Sequence, residues 1–357
     1  MRILHIFSQK ALDPLHVFLG STKDIRCRTE YFENRQIPFD ELVLETRDDS
    51  LLMEKLKSIK LDQYNAVFIE YPNYPRAIAH IKQVAPEIKV IIRAHNAELL
   101  HNLDYVRAAF LKFKYKKILR YIGNAVTRYR QEKECSRLAD AICSISSWEA
   151  SQYWPHIASR EKIYYLPYFL ANYYLEPSLS GKVEKKNQCI CMLSTAYKEA
   201  YFVMDAADHF IKEVKRLKNE LPGWSFFITG KSKEGSLRIP PRIQDVGLLQ
   251  SPMPILSESK AMAILSNYGY GFKTKILEAI MAGCYILLPK GLYGRMPEEL
   301  QPYCFIVDKP PAGISFRNAL SACEEPFPEN NINENLRNNA YKVLDNILEL
   351  QENPILI

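Results

Sequence analysis

Glycine is scarce in this chain, with 13 in 357 residues. No glycine-rich turn follows the opening apolar run, where Ser8-Gln9-Lys10-Ala11 stands instead. A dinucleotide fingerprint at the first strand is therefore excluded. Long apolar runs are lacking too. No stretch of about 18 apolar residues marks a membrane span. Met1-Arg2-Ile3-Leu4-His5-Ile6-Phe7 meets polar sequence too soon for a signal peptide. The eight cysteines are scattered without a C-x-x-C, and no metal-ligand cluster is legible. Cys189 and Cys191 form a C-x-C in an apolar run, where strand alternation puts both on one side. Reduced, mostly buried thiols in a cytoplasmic protein are the expectation. Internal repeats and low-complexity segments are absent.

The composition, 47% hydrophobic and 25% charged, is that of a globular protein. The length suits two domains of ordinary size. The net charge of +6 is uneven. Residues 1–170 hold 26 Lys+Arg against 20 Asp+Glu, and residues 171–357 hold 21 against 21. Between Arg107 and Arg137 ten basic residues face two acidic ones, so an anionic surface or partner is expected on the first half.

Along residues 1–170, short apolar runs alternate with helical patterns, as in a parallel sheet with crossover helices. The predicted strands are Ile3–Phe7, Glu41–Leu44, Ala66–Glu70, Lys89–Arg93, Ala141–Ile145 and Tyr164–Leu166. Residues 171–187 are polar, with Pro177, Gly181 and a lysine cluster, and read as a linker. The alternation restarts over 188–332, with strands at Gln188–Leu193, Trp224–Thr229, Arg242–Leu248, Ala261–Leu265, Tyr285–Leu288 and Phe305–Val307. Helices are predicted at Phe202–Asn219 and Lys273–Ala282. A final amphipathic helix, within 333–357, is expected to pack back on the first domain. The fold class is α/β, with two doubly wound Rossmann-like parallel-sheet domains facing a cleft. Ligands of such sheets bind beyond the carboxyl ends of the strands.

The most informative segment runs from Gly269-Tyr270-Gly271-Phe272-Lys273-Thr274-Lys275 to Glu278 and Gly283. A glycine turn lets the backbone approach a ligand, and the helix start adds partial positive charge to that of Lys273 and Lys275. Glu278, one turn on from Lys275, can accept hydrogen bonds from a ribose diol. The plainer reading is a solvated helix face, which leaves the glycines unexplained.

This segment resembles the donor-binding motif of retaining GT-B glycosyltransferases of the family-4-like group. Leu138–Ser146, the strand and loop from Ile190 through Ser194, Thr195 and Lys198, and Phe226–Gly230 resemble other stretches of that family in the same order. The resemblance implies transfer of a sugar from a nucleotide-diphosphate sugar, UDP- or GDP-linked, to a glycan or lipid-linked acceptor with retention. It implies Glu278 at the donor ribose. Lys198, Lys273, Lys275 and the Gly271–Thr274 backbone, Phe272 included, would lie at the diphosphate, with Lys275 catalytic. His95 would sit near the transferred sugar as a catalytic residue. No metal or other cofactor is implied.

Departures from the pattern are Tyr270, where an acidic residue is common, and Thr195, where an arginine is common. They keep two other readings open: a GT-B-like nucleotide-sugar epimerase, and a catalytically idle scaffold. In Arg107–Gly123, Leu111, Tyr115, Ile118, Leu119 and Ile122 form one stripe, and Lys112, Lys116 and Arg120 another. Such a helix either rests peripherally on an anionic membrane surface, at the inner face of a membrane, or packs on the core with a solvated basic face. No nucleic-acid module accompanies the charge. His5 reads as core and His101 as surface.

Overall fold

A computed structural model describes residues 1–12, 20–111, 114–175, 184–192, 201–230, 238–249 and 251–350. Two parallel six-stranded sheets organise the chain. The first comprises β1 (Ile3–Ser8), β2 (Phe39–Leu44), β3 (Ala66–Glu70), β4 (Lys89–Ala94), β5 (Ala141–Ser144) and β6 (Ile163–Tyr165), in the order β2-β1-β3-β4-β5-β6. β1 and β3 are buried along their whole length, as strands covered by helices on both faces must be.

The second sheet comprises β7 (Lys186–Met192), β8 (Ser225–Thr229), β9 (Ile243–Gly247), β10 (Ser259–Ala263), β11 (Tyr285–Leu288) and β12 (Cys304–Ile306). Its order is β12-β11-β10-β7-β8-β9. The sheets are thus α/β and doubly wound. Chain direction across the sheet reverses between β1 and β3 in one, and between β7 and β10 in the other. These switch points are where open parallel sheets leave a crevice for a ligand.

Element ends follow pairing more than hydropathy. β6 ends at Tyr165, one residue before the expected limit, because Ile163, Tyr164 and Tyr165 pair with Ile142, Cys143 and Ser144. β10 starts at Ser259, two residues early, since Ser259 already pairs with Lys186. The helix expected from Lys273 begins at Lys275 and is seven residues long, leaving Lys273 in the preceding turn. Thr274, its N-cap, makes no side-chain capping bond.

The region 98–138 is a pair of packed helices, Glu98–Leu111 and Tyr115–Leu138. Residues 112 and 113 lie outside the described residues, and Lys112 of the expected basic stripe with them. Ile118 turns inward toward Tyr105 and Tyr121, so it leaves the stripe on which its spacing had placed it. His101 is half-buried, not a surface residue. Seven of the eight cysteines are buried, Cys304 is half-buried, and all are free thiols.

The last helix, Ile332–Ile347, lies against the first domain. Asp345 accepts hydrogen bonds from Tyr31 Oη at 2.8 Å and Arg35 Nε at 3.0 Å. Asn333 bonds both the N–H and the carbonyl of Leu170, at 2.6 and 3.0 Å. Leu336, Ala340, Leu344 and Ile347 join an apolar cluster reaching Ile3 of the first sheet and Ile286 of the second.

Candidate active site

A cavity of about 280 Å³ opens where the two switch points face each other. From the first domain, Gly20, Ser21 and Lys23 follow β1, Tyr71 follows β3, and His95 and Asn96 follow β4. From the second, Met192 ends β7, Thr229 ends β8 with Gly230 just after it, and Phe272–Lys275 with Glu278 follow β10. Of the residues singled out by sequence, His95, Phe272, Lys273, Thr274, Lys275 and Glu278 line one space. Gly271 does not line it, although the next residue, Phe272, does, and Lys198 lies outside the described residues.

The glycine turn is held from across the cleft. Gly269 (φ 88°) and Gly271 (φ 77°) are both left-handed, a conformation side chains disfavour. The N–H of Gly269 donates to Asp104 Oδ2 and that of Gly271 to Glu149 Oε1, each at 2.6 Å. A Cβ on Gly271 would stand 2.6 Å from the His95 carbonyl and collide with Asn96 Oδ1. The glycine therefore serves the close approach of the two domains, where the sequence suggested only approach to a ligand. Gly20 meets Thr274 in the same way.

Tyr270 takes up its position without a carboxylate. Its ring packs on Trp148 at 5.8 Å, and the Arg295 guanidinium lies 4.5 Å from its centroid. The nearby acidic group is Glu149, buried from the first domain. Burial pushes its carboxyl up to about 7, against the amides of Ala97 and Gly271 and the charges of Lys273 and Arg295.

Cations converge on the second-domain wall. Lys275 Nζ donates to the Met192 carbonyl at 3.0 Å and Lys273 Nζ to that of Tyr270 at 3.1 Å. Burial, with Arg295 close by, lowers the Lys273 ammonium to about 8. Burial also lowers Lys275. Glu278 does not stand open: Lys23 Nζ lies 2.9 Å from its Oε2, and both are nearly buried.

His95, 5% exposed, sits on a buried charge network that no sequence motif announced. Its Nε2 meets Glu70 Oε2 at 2.7 Å, its Nδ1 lies 3.3 Å from Asp24 Oδ2, and its ring stacks on Tyr71 at 4.1 Å. Glu70 also accepts from Arg28 Nε at 2.8 Å and partners His5 at 3.0 Å. Asp24 accepts from Arg93 Nε at 2.8 Å and pairs with Arg28 at 2.7 Å. Burial alone would raise both acids, but Arg28 holds each well below the usual carboxylate range, helped by Arg93 at Asp24 and by His5 and His95 at Glu70. Burial lowers His95, against the opposing pull of Glu70 and Asp24 on its two ring nitrogens.

Asp24, Glu70 and His95 bring ligand-type atoms within 4.8 Å of one another, where the sequence displayed no metal-ligand cluster. Arg28 and Arg93 already balance the two carboxylates, so the trio fits a divalent cation poorly. The legible signals were positional: Glu70 and Arg93 fall at strand carboxyl ends, and Asp24 and Arg28 lie one helical turn apart.

The architecture has solved counterparts. Sucrose-phosphate synthase from Thermosynechococcus elongatus superposes with a TM-score of 0.61 at 13% identity, covering 98% of this chain and 96% of that one. The lipopolysaccharide outer core galactosyltransferase WaaB gives 0.56 at 12% identity, with coverage of 98% and 99%. Anabaena HepE in complex with UDP gives 0.55 at 13%, with coverage of 98% and 96%. This chain has the GT-B fold. At such identities the likeness concerns the fold alone. No protein-family model and no curated protein matches the sequence. Within the GT-B arrangement, the cavity described above is the cleft between the two Rossmann-like domains.

Proposed function

We propose that this chain is a glycosyltransferase. It moves a hexosyl or related sugar from a nucleoside-diphosphate sugar to a saccharide or lipid-linked acceptor. The observation that carries this reading is the meeting of Lys23, Lys273, Lys275 and Glu278 with His95 in one cavity at both switch points of a GT-B fold. HepE, a fold relative, was crystallised with UDP, which supports a nucleotide donor here.

In this reading Lys275 and Lys273 face the diphosphate, joined by Lys198 and the backbone from Phe272 to Thr274. Gly271 shapes the turn, since its N–H is already given to Glu149. Glu278 binds the ribose diol through the oxygen that Lys23 leaves, as a carboxylate has lone pairs for both. Negative charge grows on the leaving diphosphate as the glycosidic bond stretches. Fixed ammonium groups in a half-buried cleft stabilise that charge with little reorganisation. Both ring nitrogens of His95 face buried acids. With both nitrogens engaged, it serves as a rigid wall of the sugar subsite and not as a proton carrier. Retention at the anomeric carbon is part of the proposal on the motif resemblance alone. No metal is needed for this chemistry.

A panel of UDP- and GDP-sugars, assayed for nucleoside diphosphate release with and without saccharide acceptors, tests the reading. Release that requires both substrates supports it. Alteration of the donor alone would indicate an epimerase. An absence of both turnover and donor-induced thermal shift would indicate a scaffold.

A further inference from the structure

Seven of the twelve exposed large apolar side chains among the described residues fall between Leu103 and Val126. They are not scattered. Tyr115, Leu119, Ile122 and Val126 recur at four-, three- and four-residue spacing on the helix Tyr115–Leu138, which places them on one side. Tyr115 is 64% and Leu119 75% exposed. Phe110 and Leu111, at the end of the preceding helix, extend the ridge, with Phe110 at 65%.

The same helix already has an inward face. Tyr121, Ala125, Glu132 and Cys135 are buried, and Ala108, Ala109 and Tyr105 pack with Tyr121 and Ile118 between the two helices. The ridge is thus a second apolar face that packing within the domain does not require. Exposed Lys116, Arg120 and Arg130 flank it. The segment from Arg107 to Arg137 carries ten basic and two acidic residues, and the first 170 residues hold the whole net charge of the chain.

We infer that this helical hairpin docks on an anionic lipid bilayer. Phe110, Leu119, Ile122 and Val126 enter the boundary between headgroups and acyl chains, and the flanking lysines and arginines meet lipid phosphates. An apolar ridge alone would suit a second copy of the chain. Basic residues on its flanks set like charges against each other in such a pairing, whereas a bilayer carrying negative headgroups neutralises them. No helix among the described residues is long and apolar enough to cross a membrane, so the contact is interfacial. The docking does not depend on the proposed transfer reaction.

Flotation of the full chain with vesicles tests it. Phosphatidylcholine vesicles are compared with vesicles holding about 30% phosphatidylglycerol. The chain is expected to float with the anionic vesicles, to stay behind with the neutral ones, and to be released by high salt. Leu119→Ser with Ile122→Ser, both at exposed positions, should cut binding at least about tenfold while the melting temperature holds. Lys116→Glu with Arg120→Glu should remove the preference for anionic vesicles. A wild-type chain that ignores anionic vesicles overturns the inference, as does a Ser variant that binds like wild type. So does a wild-type dimer in sedimentation that fails to float and that the Ser variant dissolves.

Discussion

Lys23 of the first domain pairs with Glu278 of the second at 2.9 Å, inside the cavity. One helix follows β1 and the other follows β10, so the pair joins the two switch points directly. Each partner is nearly buried, and removing either leaves the other short of a counter-charge.

Glu278→Ala is therefore expected to weaken nucleoside diphosphate binding by about 1–3 kcal/mol, the cost of unmet hydrogen bonds to a charged group. Lys23→Met should weaken it less, since the ribose contact survives. Calorimetric titration of both single variants and the double variant gives the coupling between them. Undiminished affinity in folded Glu278→Ala would remove the ribose assignment.

Lys275→Ala should lower turnover more than donor affinity if its charge acts on the leaving diphosphate, because only transition-state contacts change the chemical step selectively. Steady-state kinetics with saturating acceptor separates the two effects. A rise in KM with an unchanged kcat would reassign Lys275 to ground-state binding.

Lys273 is lowered to about 8 by burial and by Arg295. A lowered ammonium is charged below that value and neutral above it. Affinity for nucleoside diphosphate should then fall about three- to tenfold between pH 7 and pH 9. In Lys273→Arg the fall should vanish, as arginine stays charged. Binding isotherms at three pH values decide the matter.

Glu149 titrates the other way. Its carboxyl is raised to about 7 from an ordinary 4.5 by burial. The fold thus favours the neutral acid, and this contribution is complete below about pH 4.5 and lost as pH rises through about 7. Glu149→Gln keeps an oxygen for the Gly271 N–H and cannot ionise. It should be more stable than wild type at pH 8 by roughly 1–3 kcal/mol, and the advantage should shrink toward pH 5. Thermal unfolding of both proteins across that range shows whether the difference changes with pH.

Gly271→Ala asks for a left-handed alanine and a collision with His95 and Asn96. The left-handed backbone alone costs about 1–2 kcal/mol. Relief comes from separating the domains at the turn. Small-angle scattering should report a larger radius of gyration, and donor binding should fall. An unchanged radius with full binding would mean that the turn tolerates a side chain.

Much of the fold was legible locally. Ala66–Glu70 and Tyr285–Leu288 are buried strands with the limits their runs suggest, because a strand covered on both faces is mostly apolar, with Glu70 the paired exception at a carboxyl end. The lysines, the glycine turn and Glu278 stood together in sequence, so their shared wall of the cavity could be read from spacing. Helix limits were harder. Lys273 lies before the helix because the turn is pinned from the other domain through Gly269 and Gly271.

What the sequence by itself determined was two α/β halves, a cationic glycine segment in the second, and a basic excess in the first. Those properties depend on neighbours within about one helical turn or one strand. Only the tertiary structure decided that Lys23 meets Glu278, that Glu149 and Asp104 hold the glycine turn, and that Asp24, Arg28, Glu70 and Arg93 brace His95. These partners lie between 4 and 255 residues apart. Burial makes their charges interact strongly only once the sheets have brought them together.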